Sequence, residues 1–276
     1  MPEVAQNQVT RAAVVQSRRP ILEAREIVKT YGHVEALRSA NFSAYPAEVV
    51  ALIGDNGAGK STLIKVLSGV ARPDGGEILF EGRPVDIPSP SAAQRLGIET
   101  VYQDLSLAPD LDGASNIFLG REVTRPGLLG RLGVLDKRAM HEAAVKVFVD
   151  LGVAIEDAGA AVAYLSGGQR QGVAVARAAS WASKVIIMDE PTAALGVVQT
   201  ARVLDVIRRV RERGLAVILV SHNMPEVLAI ADRVEVLRLG RKVAAFEARN
   251  TSVEELVGAM TGALDVPDRP AGGEAP

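Results

Sequence analysis

Along this chain the apolar residues change period several times, and each change marks an element. Ile21-Leu22-Glu23-Ala24-Arg25-Glu26-Ile27-Val28 partly alternates, and strand-like texture continues to about Glu81. Val49-Val50-Ala51-Leu52-Ile53 is apolar without a break, the pattern of a buried strand. It stops at Gly54, and between Lys60 and Leu67 the residues Leu63, Ile64, Val66 and Leu67 are spaced for a helix packed on a sheet. From about Ser91 to Lys184 the texture is helical. Asp136 is the expected N-cap of a segment running to Leu151, where Met140, Ala143, Ala144, Val147, Phe148 and Leu151 form an i, i+3, i+4 stripe. Gly152 is its expected stop. Pro126 and the glycines between Arg121 and Gly133 predict a surface loop.

At Val185 the strand texture returns. A helix is expected from about Val198 to Arg213, with its stripe at Val203, Val206, Ile207 and Val210, followed by Gly214 and the buried strand Ala216-Val217-Ile218-Leu219-Val220. Helix alternating with buried strand implies a parallel sheet. The helical middle therefore reads as an insertion into one α/β core and not as a separate domain. The sequence shows no internal repeat and no low-complexity block.

Composition narrows the picture. The chain has 276 residues with 48% apolar content, enough to bury a sizeable core, and its length gives a soft prior of about two structural units. The net charge of −2 comes from scattered residues, so no electrostatic footprint for nucleic acid is present. The absence of cysteine excludes a disulfide framework or a thiolate-bound metal and fits a reducing compartment. No apolar run approaches the roughly 18–20 residues of a membrane span. Residues 1–20 carry Arg11, Arg18 and Arg19 around the short patch Ala12-Ala13-Val14-Val15, without the apolar region of a secretion signal. They are expected to be a flexible tail, as is 263–276, and the chain itself is expected to be soluble.

Three stretches carry candidate chemistry. Gly54-Asp55-Asn56-Gly57-Ala58-Gly59-Lys60-Ser61-Thr62 is a phosphate-binding loop, set between a strand and a helix as that motif requires. Glycines let successive N–H groups face the phosphates, and the helix N-terminus adds favourable charge. Lys60 is expected to reach the β- and γ-phosphates and the Ser61 hydroxyl to ligate Mg²⁺. Asp189 and Glu190 end the apolar run Val185-Ile186-Ile187-Met188 and precede Pro191. Alone, such a pair after a strand is usually a solvated turn. Leu165-Ser166-Gly167-Gly168-Gln169 opens an expected helix, Arg170 to Trp181; alone it reads as an N-cap and loop, or as a second anion cradle.

In this order and spacing the three stretches resemble the ATP-binding cassette family, the ABC ATPases. The resemblance covers about residues 21–262. It implies a P-loop NTPase cassette of α/β class, with a mostly parallel core sheet, an N-terminal antiparallel β subdomain, and an inserted helical subdomain at about 91–180. It implies ATP and Mg²⁺ as ligands and ATP hydrolysis as the activity. ATP falls to residues 54–62 and to Tyr31, which matches the aromatic that stacks on adenine. Mg²⁺ falls to Ser61, Gln103 and Asp189. Glu190 is implied to polarise the attacking water. Gln103, in Val101-Tyr102-Gln103-Asp104, matches a γ-phosphate-sensing glutamine, and His222, in Val220-Ser221-His222-Asn223, a switch histidine. Ser166, Gly167, Gly168 and Gln169 are implied to act in trans, on ATP held by a second copy of the chain.

One departure stands out. Many cassettes follow the catalytic glutamate with S-A-L-D, whereas this chain reads Ala193-Ala194-Leu195-Gly196, so the aspartate's coupling role is not carried over. The Ala-Ala-Leu-Gly form, together with Tyr102–Pro109, Asn116–Glu122 and Ser221–Pro225, is similar to the monosaccharide-importing branch. That branch implies a polytopic permease and, through it, a periplasmic or extracellular sugar-binding protein as partners, at the cytoplasmic face of the cell membrane. Leu105, Leu107, Leu111, Ile117 and Phe118 either offer apolar contact to the permease or fill the insertion's own core. The alternatives are an importer subunit for another small solute and a soluble cassette protein acting on DNA or ribosomes. The latter class usually carries long coiled coils or a charged linker between two cassettes, and neither is present here. A phosphate-loop kinase would leave the Leu165–Gln169 stretch unexplained.

Overall fold

Strand order is dictated by which apolar runs can be buried on two faces and which on one. In the computed structural model, which describes residues 19–155 and 159–264, the partly alternating segments build a four-stranded antiparallel sheet. Its order is β2 (Val34–Ala44), β1 (Leu22–Tyr31), β4 (Gly75–Phe80) and β5 (Arg83–Val85). The continuous runs β3 (Val49–Ile53), β8 (Ala216–Val220) and β7 (Val185–Asp189) form the centre of a six-stranded sheet, flanked by β10 (Arg241–Glu247) and β9 (Arg233–Arg238) beside β3 and by β6 (Ile98–Val101) beside β7. Every pairing in it is parallel except β9 with β10. The expected fold class is therefore observed. The tails expected at 1–20 and 263–276 lie outside the described residues, apart from 19–20 and 263–264.

Side-chain alternation divides the buried strands between two layers. Val185 and Ile187 of β7, with Ile218 and Val220 of β8, face a core closed by the antiparallel sheet and by α1 (Lys60–Leu67). Ile186, Met188, Val217 and Leu219 face the opposite way, into a core shared with Ile117, Phe118, Met140, Phe148 and Leu151 of the helical segment. The helical segment thus has no core of its own and grows out of one sheet face. Its helices are α3 (Gly113–Phe118), α4 (Leu128–Arg131), α5 (Lys137–Leu151) and α6 (Gly167–Trp181). Asp136 caps α5 by accepting the Ala139 N–H at 3.1 Å, and Gly152 ends it with a left-handed φ of 69°. Against α6 packs α7 (Val197–Glu212), and α8 (Met224–Ile230) and α9 (Val253–Thr261) are the last of the described helices.

Two expectations need correction. The helical texture was expected from about residue 91, but only α2 (Pro90–Arg95) is helical there before Ile98–Val101 pairs with β7 as the edge strand of the main sheet. The insertion therefore begins beyond Val101. Of the two roles left open for Ile117 and Phe118, the structure gives the core: they are 1% and 8% exposed, and Phe118 meets Trp181 edge to face at 5.6 Å. The loop expected at Arg121–Gly133 contains the single turn α4, and Thr124 bridges Leu135 across it.

The two sheets are tied by a buried ionic network. Arg233 on β9 donates to Glu48 at 2.8 Å, to Glu235, and to the Ser43 carbonyl at 2.5 Å, while Lys242 lies 3.1 Å from Glu235. Burial opposes the charge on Arg233, but Glu235 and Glu48 outweigh it and raise the guanidinium's pKa. Removing one member of such a buried network leaves an uncompensated charge. Arg233→Met is accordingly expected to lower the unfolding free energy by about 3–5 kcal/mol in urea titrations of the ligand-free chain. A loss under about 1 kcal/mol would show that the network behaves like an exposed ion pair.

Candidate functional site

Four parallel strands, β3, β8, β7 and β6, end on the same edge of the main sheet, and the expected site residues follow those ends. Leu52 pairs with Val220, Asp189 with Val220, and Val101 with Met188. Gly54, Glu190, His222 and Gln103 therefore leave the sheet at nearly one level. Such a carboxyl edge is where open parallel sheets gather ligands.

After β3 the chain turns through the phosphate loop into α1. Gly54 has φ 155°, and a Cβ there would lie 2.2 Å from the Leu237 carbonyl oxygen. Gly59 has φ 106° and a Cβ would meet the Ala36 carbonyl oxygen at 2.7 Å. Both glycines are thus required by close backbone approach as well as by dihedral angle. Asp55, Asn56, Gly57, Ala58, Gly59, Lys60, Ser61 and Thr62 line an open cleft of about 410 Å³. Its other wall is Val34, Glu35, Ala36 and Arg38 of β2 with Leu239 and Gly240, residues that the motif reading did not single out. Val34 and Leu239 are 66% and 64% exposed there, an apolar rim beside a polar cradle.

The Lys60 ammonium is folded back on the loop, donating to the Gly54 carbonyl at 2.6 Å and the Asp55 carbonyl at 3.1 Å. Burial lowers its pKa, and the charges of Glu190, Asp55 and Asp189 oppose that shift. Asp189 is the last residue of β7 and Glu190 turns away with φ 52°, a left-handed conformation costly for a residue with a Cβ. A continuing strand would send the two carboxylates to opposite faces, and the turn removes that constraint, leaving Glu190 close enough to act on Asp189. Glu190 Oε2 lies 2.9 Å from His222 Nδ1, and the His222 ring is largely exposed.

Not every expected residue meets in this cleft. Tyr31 ends β1 at 46% exposure, across the hairpin from the cleft residue Val34, with Lys29 Nζ at 5.5 Å from its ring centre. Gln103 is exposed just beyond β6. Ser166, Gly168 and Gln169 line a different cleft, with Gly152, Val153, Ala154, Gln199 and Arg202. There Ser166 caps α6: Gln169 N–H donates to Ser166 Oγ at 3.3 Å and Ser166 N–H to Gln169 Oε1 at 2.9 Å. Thr192, Asn223 and Glu226, beside Glu190 and His222, were also missed. Asn223-Met224-Pro225-Glu226 has the cap-and-N3-acid spacing that could have flagged them.

The charges in this site have a measurable cost. Burial raises the pKa of Asp189, Glu190 raises it further, and Lys60 and Lys65 pull it back only in part. A carboxyl whose folded pKa lies above its unfolded value binds its proton more tightly when folded, so its ionisation opposes folding above that pKa. Asp189→Asn is therefore expected to raise the Tm of the ligand-free chain near about pH 7, with the gain shrinking as pH falls through the raised pKa to below the ordinary aspartate range. Calorimetry across pH checks this; a Tm below that of the parent at neutral pH contradicts it.

Comparison with known proteins agrees with this geometry. The family model described as ABC transporter matches residues 37–193. The chain is 52% identical over 250 residues to the fructose import ATP-binding protein FrcA of Rhizobium meliloti, covering 90% of this chain and 96% of that protein. It is 46% identical over 241 residues to the xylose/arabinose import ATP-binding protein XylG of Sulfolobus acidocaldarius, covering 87% and 94%. The ribose import ATP-binding protein RbsA 1 of Rubrobacter xylanophilus is 47% identical over 244 residues, which are 88% of this chain but 47% of that longer protein. A solved nucleotide-free ATP-binding cassette from an ABC transporter superposes with a TM-score of 0.75 at 26% identity, covering 88% of this chain and 96% of the other. With its phosphate loop, paired acids and histidine gathered at one sheet edge, the chain belongs to the ABC transporter family as one of its ATP-hydrolysing cassettes.

Proposed function

We propose that this chain is the ATP-hydrolysing subunit of a membrane importer for a monosaccharide, working as a head-to-tail pair on the cytoplasmic face of the membrane. The observation that supports the pairing is that the phosphate loop and the helix start at Ser166 line different clefts of one chain. The capping box occupies Ser166 Oγ and the Gln169 N–H, leaving the first-turn N–H groups of Gly167 and Gly168 for a γ-phosphate held by the second copy. A cassette of the same fold has been solved as a dimer (TM-score 0.68, 22% identity). The sugar assignment is supported by the fructose, xylose/arabinose and ribose importers among the relatives. Among the described residues no helix is long and apolar enough to cross a membrane; in this reading a permease supplies the membrane attachment.

Within this reading, the cleft takes ATP with its phosphates against the loop N–H groups and Lys60 swinging from the Gly54 and Asp55 carbonyls to the β- and γ-phosphates. Val34, Leu239 and the nearby Tyr31 offer apolar surface to the base. Ser61, Gln103 and Asp189 would hold Mg²⁺, which supplies charge neutralisation on the phosphate oxygens. Asp189 fits that task, because burial and Glu190 raise its pKa and Lys60 and Lys65 offset this only in part, leaving negative charge for a cation to neutralise. Glu190 accepts a proton from the attacking water, and with His222 Nδ1 set against Oε2, Oε1 is left to orient that water. The products are ADP and inorganic phosphate.

Coupling to the permease has a path in the helical segment. The Arg177 guanidinium on α6 donates to the Ser106 carbonyl at 2.8 Å and the Leu105 carbonyl at 3.0 Å. The segment after Gln103 and the helix opened by Ser166 are thereby one mechanical piece. With Ile117 and Phe118 buried, the partner surface is supplied by Leu111, Leu119, Leu128 and Leu132, at 37%, 48%, 73% and 72% exposure.

Glu190→Gln is expected to keep ATP binding while reducing turnover roughly 10²–10⁴-fold, the range for losing a general base. Lys60→Ala should instead weaken nucleotide binding. Parental turnover in the Glu190 variant would overturn its role. Leu119→Asp combined with Leu128→Asp and Leu132→Asp should spare ATP hydrolysis by the isolated chain and abolish sugar uptake in cells. Unchanged uptake would place the permease elsewhere.

A further inference from the structure

Glu190 and His222 face each other across a gap that backbone pairing does not span. The β7–β8 ladder ends with Asp189 against Val220, and one last bond, Glu190 N–H to the Val220 carbonyl at 3.0 Å, extends it. Past that point the two loops diverge. Glu190 and Ala194 both sit at positive φ, 52° and 60°, so the first loop needs support from outside itself. The Glu226 carboxylate, in the first turn of α8, lies between the loops. Thr192 Oγ1 donates to its Oε2 at 2.5 Å, and Asn223 Nδ2 donates to its Oε1 at 2.6 Å. Asn223 is fixed in turn, its Oδ1 accepting the Glu226 N–H at 3.3 Å and its N–H reaching Ser221 Oγ at 3.1 Å. Thr192 is two residues from Glu190 and 8% exposed; Asn223 is the neighbour of His222.

We propose that Glu226 is a positioning residue for hydrolysis: its two carboxylate oxygens clamp Thr192 and Asn223, setting the separation of Glu190 from His222. The proposal rests on the catalytic reading of Glu190 given above. A carboxylate suits the place because both of its neighbours are donors, a hydroxyl and an amide N–H, and ionised acceptors form the shorter and stronger bonds. An amide at position 226 would satisfy one donor and oppose the other. None of Thr192, Asn223 and Glu226 lines the phosphate-loop cleft, so the clamp acts on the rate of hydrolysis and not on ATP affinity.

The test measures kcat and KM for ATP with the whole chain carrying Glu226→Ala, Glu226→Gln, Thr192→Val or Thr192→Ser, alone and combined with Glu190→Gln. Glu226→Ala and Thr192→Val, which break the clamp from opposite ends, should each lower kcat by roughly 10–100-fold, the scale of a small misplacement of reacting groups. KM should stay within about twofold. Glu226→Gln should fall between Glu226→Ala and the parent. Thr192→Ser, which keeps the hydroxyl, should restore near-parental kcat. In the Glu190→Gln background Glu226→Ala should produce no further loss, because the group being positioned is gone. A general structural defect would instead raise KM, lower Tm and lower the residual rate of that background by the same factor. Parental kcat in both Glu226→Ala and Thr192→Val, with Glu190→Gln inactive, overturns the clamp alone. Parental kcat in Glu190→Gln overturns the reading of Glu190 and the clamp with it.

Discussion

The shared register of four parallel strands is the constraint on which the site depends. Hydrogen bonding between β3, β8, β7 and β6 brings their carboxyl ends to one level, and the loops that leave those ends carry the phosphate cradle, the paired acids, the histidine and Gln103. The stretches that carry them lie far apart in sequence. A slip of one residue in β7 would turn Asp189 to the opposite face and exchange its two apolar layers, exposing Val185 and Ile187 to the wrong core. Burial on both faces is therefore what fixes the chemistry: each layer of the core votes for the same register.

Beyond the ladder, the structure holds charged groups in positions that cost stability. Asp189 and Glu190 are adjacent and partly buried, and Lys60 is the cation that offsets them while itself resting on two backbone carbonyls. Glu190 adds a left-handed backbone angle. Such local expense is usual at functional sites, and on the proposed reading the phosphates and cation of a bound nucleotide would complete the pairing. The rest of the molecule compensates through well-buried cores on both sheet faces and through the Arg233 network joining the sheets.

Much of this was legible in the residues. Val49–Ile53, Ala216–Val220 and Val185–Met188 announce buried strands because both faces are covered, and Asp136 and Gly152 bound α5 because capping chemistry is local. The edge strand Ile98–Val101 was not legible. Glu99 and Thr100 are only half covered at the sheet edge, so four residues lack the continuous apolar signature of their neighbours, and the preceding α2 supports a helical reading. Ile117 and Phe118 were ambiguous for a similar reason: an apolar helical face reads the same whether it meets its own core or a partner. The phosphate loop, Asp189, Glu190 and His222 followed from motif order. The cleft wall from β2 and the Thr192–Glu226–Asn223 clamp did not, because they arise only when distant loops meet.

Pairing of two chains across the two cradles is the claim most directly open to measurement. The chain has no cysteine, so reporter thiols can be placed without background. Asn56 beside the phosphate loop and Ser166 at the α6 cap are both exposed and line different clefts. Asn56→Cys and Ser166→Cys would be introduced into separate Glu190→Gln chains, mixed, and treated with a short thiol-to-thiol cross-linker with and without ATP and Mg²⁺. A cross-chain product of dimer mass that forms only in the mixture and only with nucleotide is the expected result. No such product, although each thiol reacts fully with a monofunctional reagent, would contradict the head-to-tail site.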